Sequence, residues 1–422
     1  MARGYFADVR VTDFGPYVTK LVLPMENKLT QEPEKDGFSV YVERRNRRGE
    51  IMQLPLNWLE RDKKEPSVGY AEVTDAYASD LGGRRTPGGD CITLELAYGP
   101  LHSITAEISA PDGFNVSVIS EYCITMTKPV RTESGACAGL VFDRKYGNRC
   151  SDYAEFRESV SSDPELPLRY GYYVPQTLQE KKPLILWLHG AGEGGSETKI
   201  AYMGNKVTSM ITPEIQELFD GAYLLVPQCP TMWLDDGSHK YGSTGRSMYI
   251  RALKAVIDEF ISKNPGIDRD RIYIGGDSNG GFMTVRMCID YPGFFAAAFP
   301  VCEALYDNTI SDAQIRELAK LPMWFIHSRN DPVVIPAETA DATYQRLKAA
   351  GAKNLHFSFF DCIVDRHEGW KNPDGTPFEY IGHFAWIPLF NRDCNFDYDG
   401  SPVMLDGRQA DVFDWLARQR RQ

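Results

Sequence analysis

Gly276-Asp277-Ser278-Asn279-Gly280 is the stretch of this 422-residue chain whose residue types and spacing point most directly to chemistry. The apolar run Ile272–Ile274 leads into it, and a helical run leaves it near Gly281. A serine on so tight a strand-to-helix turn sits in strained backbone space, so the residues two places to either side have to be very small. Gly276 and Gly280 meet that need. The turn lifts Ser278 Oγ clear of the sheet and aims the first N–H groups of the helix at any anion that forms beside it. Alone, the pentapeptide fits an ordinary glycine-rich turn equally well, so its partners decide.

A serine hydroxyl is a poor nucleophile near neutral pH and needs a base, which in turn needs an orienting carboxylate. When the serine sits on such an elbow, the order along the chain is serine, acid, histidine. Asp331 is the first acid at a strand end after Ser278, in Ile326-His-Ser-Arg-Asn-Asp331-Pro332-Val-Val, with an Asp-Pro turn or cap as the alternative reading. His383, in Tyr380-Ile-Gly-His-Phe-Ala-Trp386, is the expected base. His367 lies in a charged insertion, Asp361 to Phe378, read as a rim or lid with cation binding as the alternative. His327 and His356 fall in or at the edge of strands and read as hydrogen-bonded structural residues, and His102 as a surface or strand-end residue.

An oxyanion hole needs two backbone donors aimed where negative charge develops. Asn279 supplies one, directly after the serine. Ala191, in the glycine-rich loop Leu188-His-Gly-Ala-Gly-Glu-Gly-Gly195, is expected to supply the other. Gln228, Trp233, Glu303 and Trp386 are the expected pocket residues. The two tryptophans would line an acyl or aryl site, with plain core as the alternative. Glu303 follows the strand Ala296–Val301, where small residues would be expected. It would favour a substrate bearing a donor or cation, or tune His383; a helix-start carboxylate is the alternative. This chemistry calls for no metal and no organic cofactor.

The elements that must position these groups begin near residue 166. Arg169–Pro175, Pro183–His189, Ala222–Pro227, the elbow strand, Phe295–Val301, Met323–His327 and Leu355–Phe360 read as strands, and Pro183–His189 is apolar almost throughout, as in a sheet covered on both faces. Met248–Ile261 has helical spacing, with Tyr249, Leu253, Val256, Ile257, Phe260 and Ile261 on one face. Further helices are expected over Ala337–Ala350 and Ala410–Arg418. The alternation predicts a mostly parallel α/β sheet over 166–422, with the functional residues beyond the carboxyl ends of its strands.

Residues 1–130 have a different texture. Six or seven short runs mix β-branched and aromatic residues, among them Phe6–Thr12, Val18–Leu23, Phe38–Arg44, Tyr70–Tyr77, Cys91–Tyr98 and Tyr122–Thr127, with turn residues between them and no long helix. They predict an antiparallel, immunoglobulin-like β-sandwich. Residues 131–165 read as a linker and lead-in segment.

Bulk properties narrow the partners. A formal net charge of −12 disfavours nucleic acid and acidic membrane surfaces. No apolar run approaches the ~18 residues of a membrane span. The N-terminus lacks the apolar core of a secretory signal, so the expectation is a cytoplasmic protein or one whose leader has been removed. The nine cysteines show no metal-type spacing, and most are expected to be free and buried. A Cys137–Cys150 or Cys91–Cys123 bridge stays open.

His189-Gly-Ala-Gly, Val226-Pro-Gln-Cys-Pro230 followed by Trp233, Gly276-Asp-Ser-Asn-Gly-Gly, Asp331-Pro-Val-Val and Gly382-His-Phe-Ala-Trp together resemble the α/β-hydrolases of the esterase, feruloyl esterase and polyhydroxybutyrate depolymerase group, related to the prolyl oligopeptidases. With the sandwich in front, the chain resembles bacterial carboxylesterases that carry an N-terminal immunoglobulin-like domain. The resemblance implies a core sheet of about eight strands, a triad of Ser278, Asp331 and His383, and hydrolysis of a small carboxylic ester, short-chain or aryl. Three alternatives stand beside it. One is a feruloyl or acetyl esterase whose substrate is attached to plant polysaccharide. Another is a peptidase, for which a front region of this size is too short to form a propeller. The third is a non-catalytic binding module. The sandwich would wall the active-site mouth, contact carbohydrate or mediate a homo-oligomer.

Overall fold

The computed structural model describes residues 3–55, 63–111, 113–176, 180–239 and 244–421. The chain divides into two compact units, one running through Ala154 and the other from Glu155 onward.

The first unit is built on eight strands: β1 (Arg3–Thr12), β2 (Gly15–Pro24), β3 (Phe38–Arg45), β4 (Val68–Ala71), β5 (Val73–Ser79), β6 (Cys91–Leu96), β7 (Ile119–Met126) and β8 (Val141–Arg149). Hydrogen bonds connect them in the order β4-β3-β7-β8-β1-β2-β6-β5. Burial alternates along β3 and β7, and the inward residues Tyr5, Val18, Leu21, Val40, Val42, Ile92, Leu94, Tyr122, Ile124 and Phe142 form one core. The run expected as one strand over Tyr70–Tyr77 is two. Ala71 pairs with Val40 and Val73 with Leu96, at opposite edges of the sheet, with Glu72 alone between them. The sheet has therefore curled until its two edges meet at that residue, which encloses the core.

Two sequence expectations change here. The pairing is antiparallel except between β1 and β8, which run parallel. The 131–165 stretch is no linker: Val130–Thr132 and Gly135–Cys137 form a hairpin, β8 lies inside the sheet between β7 and β1, and the unit ends near Ala154 rather than 130. All nine cysteines are free, so neither bridge left open by the sequence is formed.

The second unit holds β9 (Arg157–Val160), β10 (Arg169–Tyr173), β11 (Lys182–Leu188), β12 (Tyr223–Gln228), β13 (Ile267–Asp277), β14 (Ala297–Val301), β15 (Met323–Ser328) and β16 (Leu355–Phe360), in the order β9-β10-β12-β11-β13-β14-β15-β16. From β12 to β16 every pairing is parallel, and β9 and β10 add an antiparallel edge. Every residue of β11, β12, β14 and β15 is buried, because helices cover both faces of the sheet. The main helices are α1 (Thr198–Met203), α2 (Ile250–Lys263), α3 (Asn279–Asp290), α4 (Asp312–Leu318), α5 (Ala340–Ala349), α6 (Trp386–Phe390) and α7 (Val412–Leu416). The six apolar residues expected on one helical face are all buried, five of them in α2 and Tyr249 as its cap. The helical run expected to leave the elbow is α3, and it is not two-faced: Asn279 through Cys288 is buried without a break.

If β8 is a structural strand, truncating its fully buried Phe142 to Ala should lower unfolding stability by about 3–5 kcal/mol. A linker side chain would cost almost nothing. Denaturant unfolding of the variant, followed by fluorescence, distinguishes the two.

Candidate active site

The elbow forms where β13 stops and α3 starts. Ser278 between them has φ 53° and ψ −113°, a region that costs on the order of 1–3 kcal/mol and persists only when its surroundings fix it. They do so through the backbone. Ser278 N–H donates to Val301 O at 2.9 Å, and its carbonyl accepts from Phe282 N (2.9 Å) and Ala304 N (3.2 Å). The flanking glycines are steric requirements. A Cβ at Gly276 would stand 2.4 Å from Leu188 O, and one at Gly280 only 1.9 Å from the same atom.

The structure brings Ser278, His383 and Asp331 together. His383 Nε2 lies 2.9 Å from Ser278 Oγ, and His383 Nδ1 lies 2.7 Å from Asp331 Oδ2. Asp331 sits in the turn after β15, 3% exposed, with Oδ1 accepting from Val333 N (2.8 Å) and Val334 N (3.0 Å). His327 Nε2 is a further donor, 2.8 Å from Oδ2. Burial opposes ionisation of Asp331, but His327, His383 and the backbone donors outweigh it and hold the carboxyl below the usual carboxylate range. With Asp331 accepting from both rings, His383 carries its hydrogen on Nδ1 and presents a bare Nε2 to the serine. His327 is the structural, hydrogen-bonded residue expected, and its partner is the candidate acid itself. Its position four residues before Asp331, at the end of the same strand, is the signal that could have placed it in the site.

Ala191 begins a short turn after β11, and Asn279 is the first residue of α3. Among the described residues, neither backbone N–H donates to a protein acceptor. The Ala191 loop is held by His189, which is fully buried and pushed down to about 4 by that burial, against a weaker pull from Gly190 O. Its Nε2 accepts from Cys229 N at 2.9 Å, so the hydrogen is on Nδ1, directed at Gly190 O at 2.6 Å. The Asn279 side chain accepts from Leu234 N at 3.0 Å and ties the loop after β12 to the elbow.

The four expected pocket residues divide. Gln228 Nε2 donates to Glu193 O (2.9 Å) and Glu197 O (3.0 Å), so its amide braces the Ala191 loop instead of facing a ligand. Trp233 is wholly buried in the core, against His189 and Tyr249, and is not a pocket wall. Trp386 does stand beside the base, edge-on to the His383 ring with centroids 6.1 Å apart. Glu303 lies next to the elbow, but enclosed: Oε2 accepts from Leu305 N at 2.7 Å, Oε1 has no partner among the described residues, and a Cβ at Gly281 would be 2.7 Å from Glu303 Cα. Burial pushes its carboxyl up to about 8, with the Leu305 donor opposing, so near neutral pH it is uncharged. It offers no anion to a cationic substrate.

The 361–378 insertion is a closed loop. Ile363–Val364 pairs with Glu379–Tyr380, and Asp365 accepts from Glu368 N, Trp370 N and Tyr380 OH. His367 pairs with Asp393 at 3.1 Å. Among the described residues, no group of three or more His, Cys, Asp or Glu is set to hold a metal ion, and no helix is long and apolar enough to cross a membrane.

Residues 172–367 match the phospholipase/carboxylesterase family, and residues 7–139 match the esterase immunoglobulin-like N-terminal domain. Over 135 residues the chain is 31% identical to feruloyl esterase B of Neurospora crassa, covering 31% of this chain and 42% of that one. Over 142 residues it is 27% identical to poly(3-hydroxyalkanoate) depolymerase C of Paucimonas lemoignei, covering 32% and 31%. It thus spans less than half the length of either relative. The crystal structure of a thermostable esterase superposes with a TM-score of 0.73 at 23% identity, over 99% of this chain and 100% of that one, so the two-part fold is shared throughout.

Glu303 gives a pH prediction. Its carboxyl keeps a proton in the native state to about pH 8, while the unfolded chain loses it near 4.5, so stability falls as pH rises between those values. Glu303→Gln, neutral at every pH, should flatten the fall of melting temperature over that window, measured by thermal unfolding from pH 5 to about 9.

Proposed function

We propose that this chain, an α/β-hydrolase domain of the phospholipase/carboxylesterase family behind an esterase-type immunoglobulin-like domain, hydrolyses carboxylic esters through a serine-bound acyl intermediate. The observation that carries this reading is the unbroken relay from Asp331 Oδ2 through His383 to Ser278 Oγ, with links of 2.7 and 2.9 Å.

Ser278 Oγ attacks the ester carbonyl as its proton passes to His383 Nε2. Asp331, still ionised, stabilises the imidazolium and keeps its orientation. Negative charge moves onto the former carbonyl oxygen, where Ala191 N–H and Asn279 N–H receive it. His383 then protonates the departing alcohol, and water, activated by the same imidazole, releases the acid. Because the two donors are already fixed by His189 and by the start of α3, they need little reorganisation as the charge develops.

The substrate in this reading is a short-chain or aryl ester. Val333 and Ile335, 59% and 46% exposed, and Ile381, 40% exposed, stand on the loops that carry Asp331 and His383. They give an apolar rim on which such an acyl or aryl group can lie. The names of the relatives favour a hydroxycinnamoyl or hydroxyacyl ester, free or attached to a carbohydrate.

The test is hydrolysis of p-nitrophenyl esters from acetate upward, with methyl ferulate and a proline anilide alongside. Short esters or methyl ferulate should turn over, and Ser278→Ala should cut kcat by about 10⁴-fold or more. Cleavage of the anilide alone, or ester turnover that survives in Ser278→Ala, would overturn the proposal.

A further inference from the structure

Two buried acids that the mechanism does not use meet behind the elbow. Asp277, directly before Ser278, is 1% exposed, and Glu193, two residues after Ala191, is 5% exposed. Asn205 Nδ2 lies 2.9 Å from Asp277 Oδ2 and 3.4 Å from Glu193 Oε2. A Cβ at Gly190 would stand 2.6 Å and 3.1 Å from the same two oxygens. The carboxyl groups therefore converge on one amide and one glycine, in a space that excludes a side chain. Each is two residues from one of the two oxyanion donors, Glu193 from Ala191 and Asp277 from Asn279.

We propose that Asp277 and Glu193 are a positioning pair that holds one proton between them and so fixes the spacing of the Ala191 and Asn279 N–H groups. Two carboxylates cannot both stay ionised at such a place. Burial first, then the facing Glu193, raises the Asp277 carboxyl well above the usual carboxylate range, with Asn205 and the backbone N–H groups of Asp277 and Gly190 opposing. His189 is neutral through burial, and burial together with Asp277 and Asp331 pushes the Cys302 thiol well up. Loss of the shared proton sets two anions against each other across the Ala191 loop. The oxyanion site then loosens, which lowers kcat and leaves KM alone, since the donors act mainly on the transition state.

The inference rests on the hydrolytic reading above, and the experiment separates the two. Wild type, Asp277→Asn, Asp277→Ala, Glu193→Ala and the double Ala variant are compared on p-nitrophenyl acetate from pH 5 to 10, with Ser278→Ala as control. Each single Ala change should lower kcat by about tenfold or more at unchanged KM, and the double change should be within about threefold of the worse single one. Asp277→Asn is neutral at every pH and can accept from Asn205 while donating to Glu193. It should recover most of the loss, move the alkaline fall in kcat upward by about one pH unit or more, and flatten the decline of melting temperature with pH. Multiplicative Ala losses, an alkaline limb that Asp277→Asn leaves in place, or an unchanged melting slope would overturn the pair. If the Ala variants do not fold, the Asn variant's two profiles still decide. Activity persisting in Ser278→Ala would remove the hydrolytic reading instead, and the melting slope would still report on the shared proton.

Discussion

The second unit is organised around a backbone conformation that its own chemistry disfavours. Ser278 at φ 53° is held by three main-chain hydrogen bonds and by the approach of Leu188 O to Gly276 and Gly280. The turn from Val301 to Ala304, which grips Ser278 from the next strand, contains a second left-handed residue, Cys302 at φ 35°. Strain of this kind survives only if the neighbouring strands are correctly in register, so the fully buried β11 and β14, with the buried second half of β13, act on the site through the serine's peptide groups. The same close packing brings the Ala191 loop, which leaves β11, against the elbow that ends β13.

Around this turn, three buried carboxyl groups differ in charge for reasons that can be read from their donors. Asp331 has two imidazoles and two backbone N–H groups and is held ionised despite its burial. Glu303 has the single Leu305 N–H and keeps its proton near neutral pH. Asp277 has Asn205 on one oxygen, weaker help from the backbone N–H groups of Asp277 and Gly190, no hydrogen bond on Oδ1 among the described residues, and a second acid facing it. Burial alone would neutralise all three. What distinguishes the acid of the relay is the number of donors arranged before any substrate arrives.

Much of this was legible in the sequence, because elbow, acid and base are marked locally: by glycines around Ser278, by Pro332 after Asp331 and by Gly382 before His383. What was not legible depends on contacts between distant stretches. Nothing near Glu193 announces Asp277, and nothing in Trp233 tells a pocket wall from a core residue. Strand β8 was missed because the charged run Asp143-Arg144-Lys145 hides its period, and Phe142 is its one buried residue. The break at Glu72 was missed because the two strands meet with neither glycine nor proline between them. The units therefore divide near Ala154, later than the change in texture near residue 130 suggested.

The parallel pairing of β1 with β8 carries a mechanical consequence. The first and last strands of the leading unit lie side by side in the interior of the sheet, joined from Arg3 opposite Phe142 to Asp8 opposite Arg149. Tension applied between the N-terminal end of β1 and the C-terminal end of β8 pulls the two strands along each other in opposite directions. The inter-strand bonds lie across that direction, so they are loaded together in shear instead of opening one at a time from an end. A tether drawn through this unit to whatever follows it meets a clamp, and the unit resists extension along that axis far more than peeling from either edge.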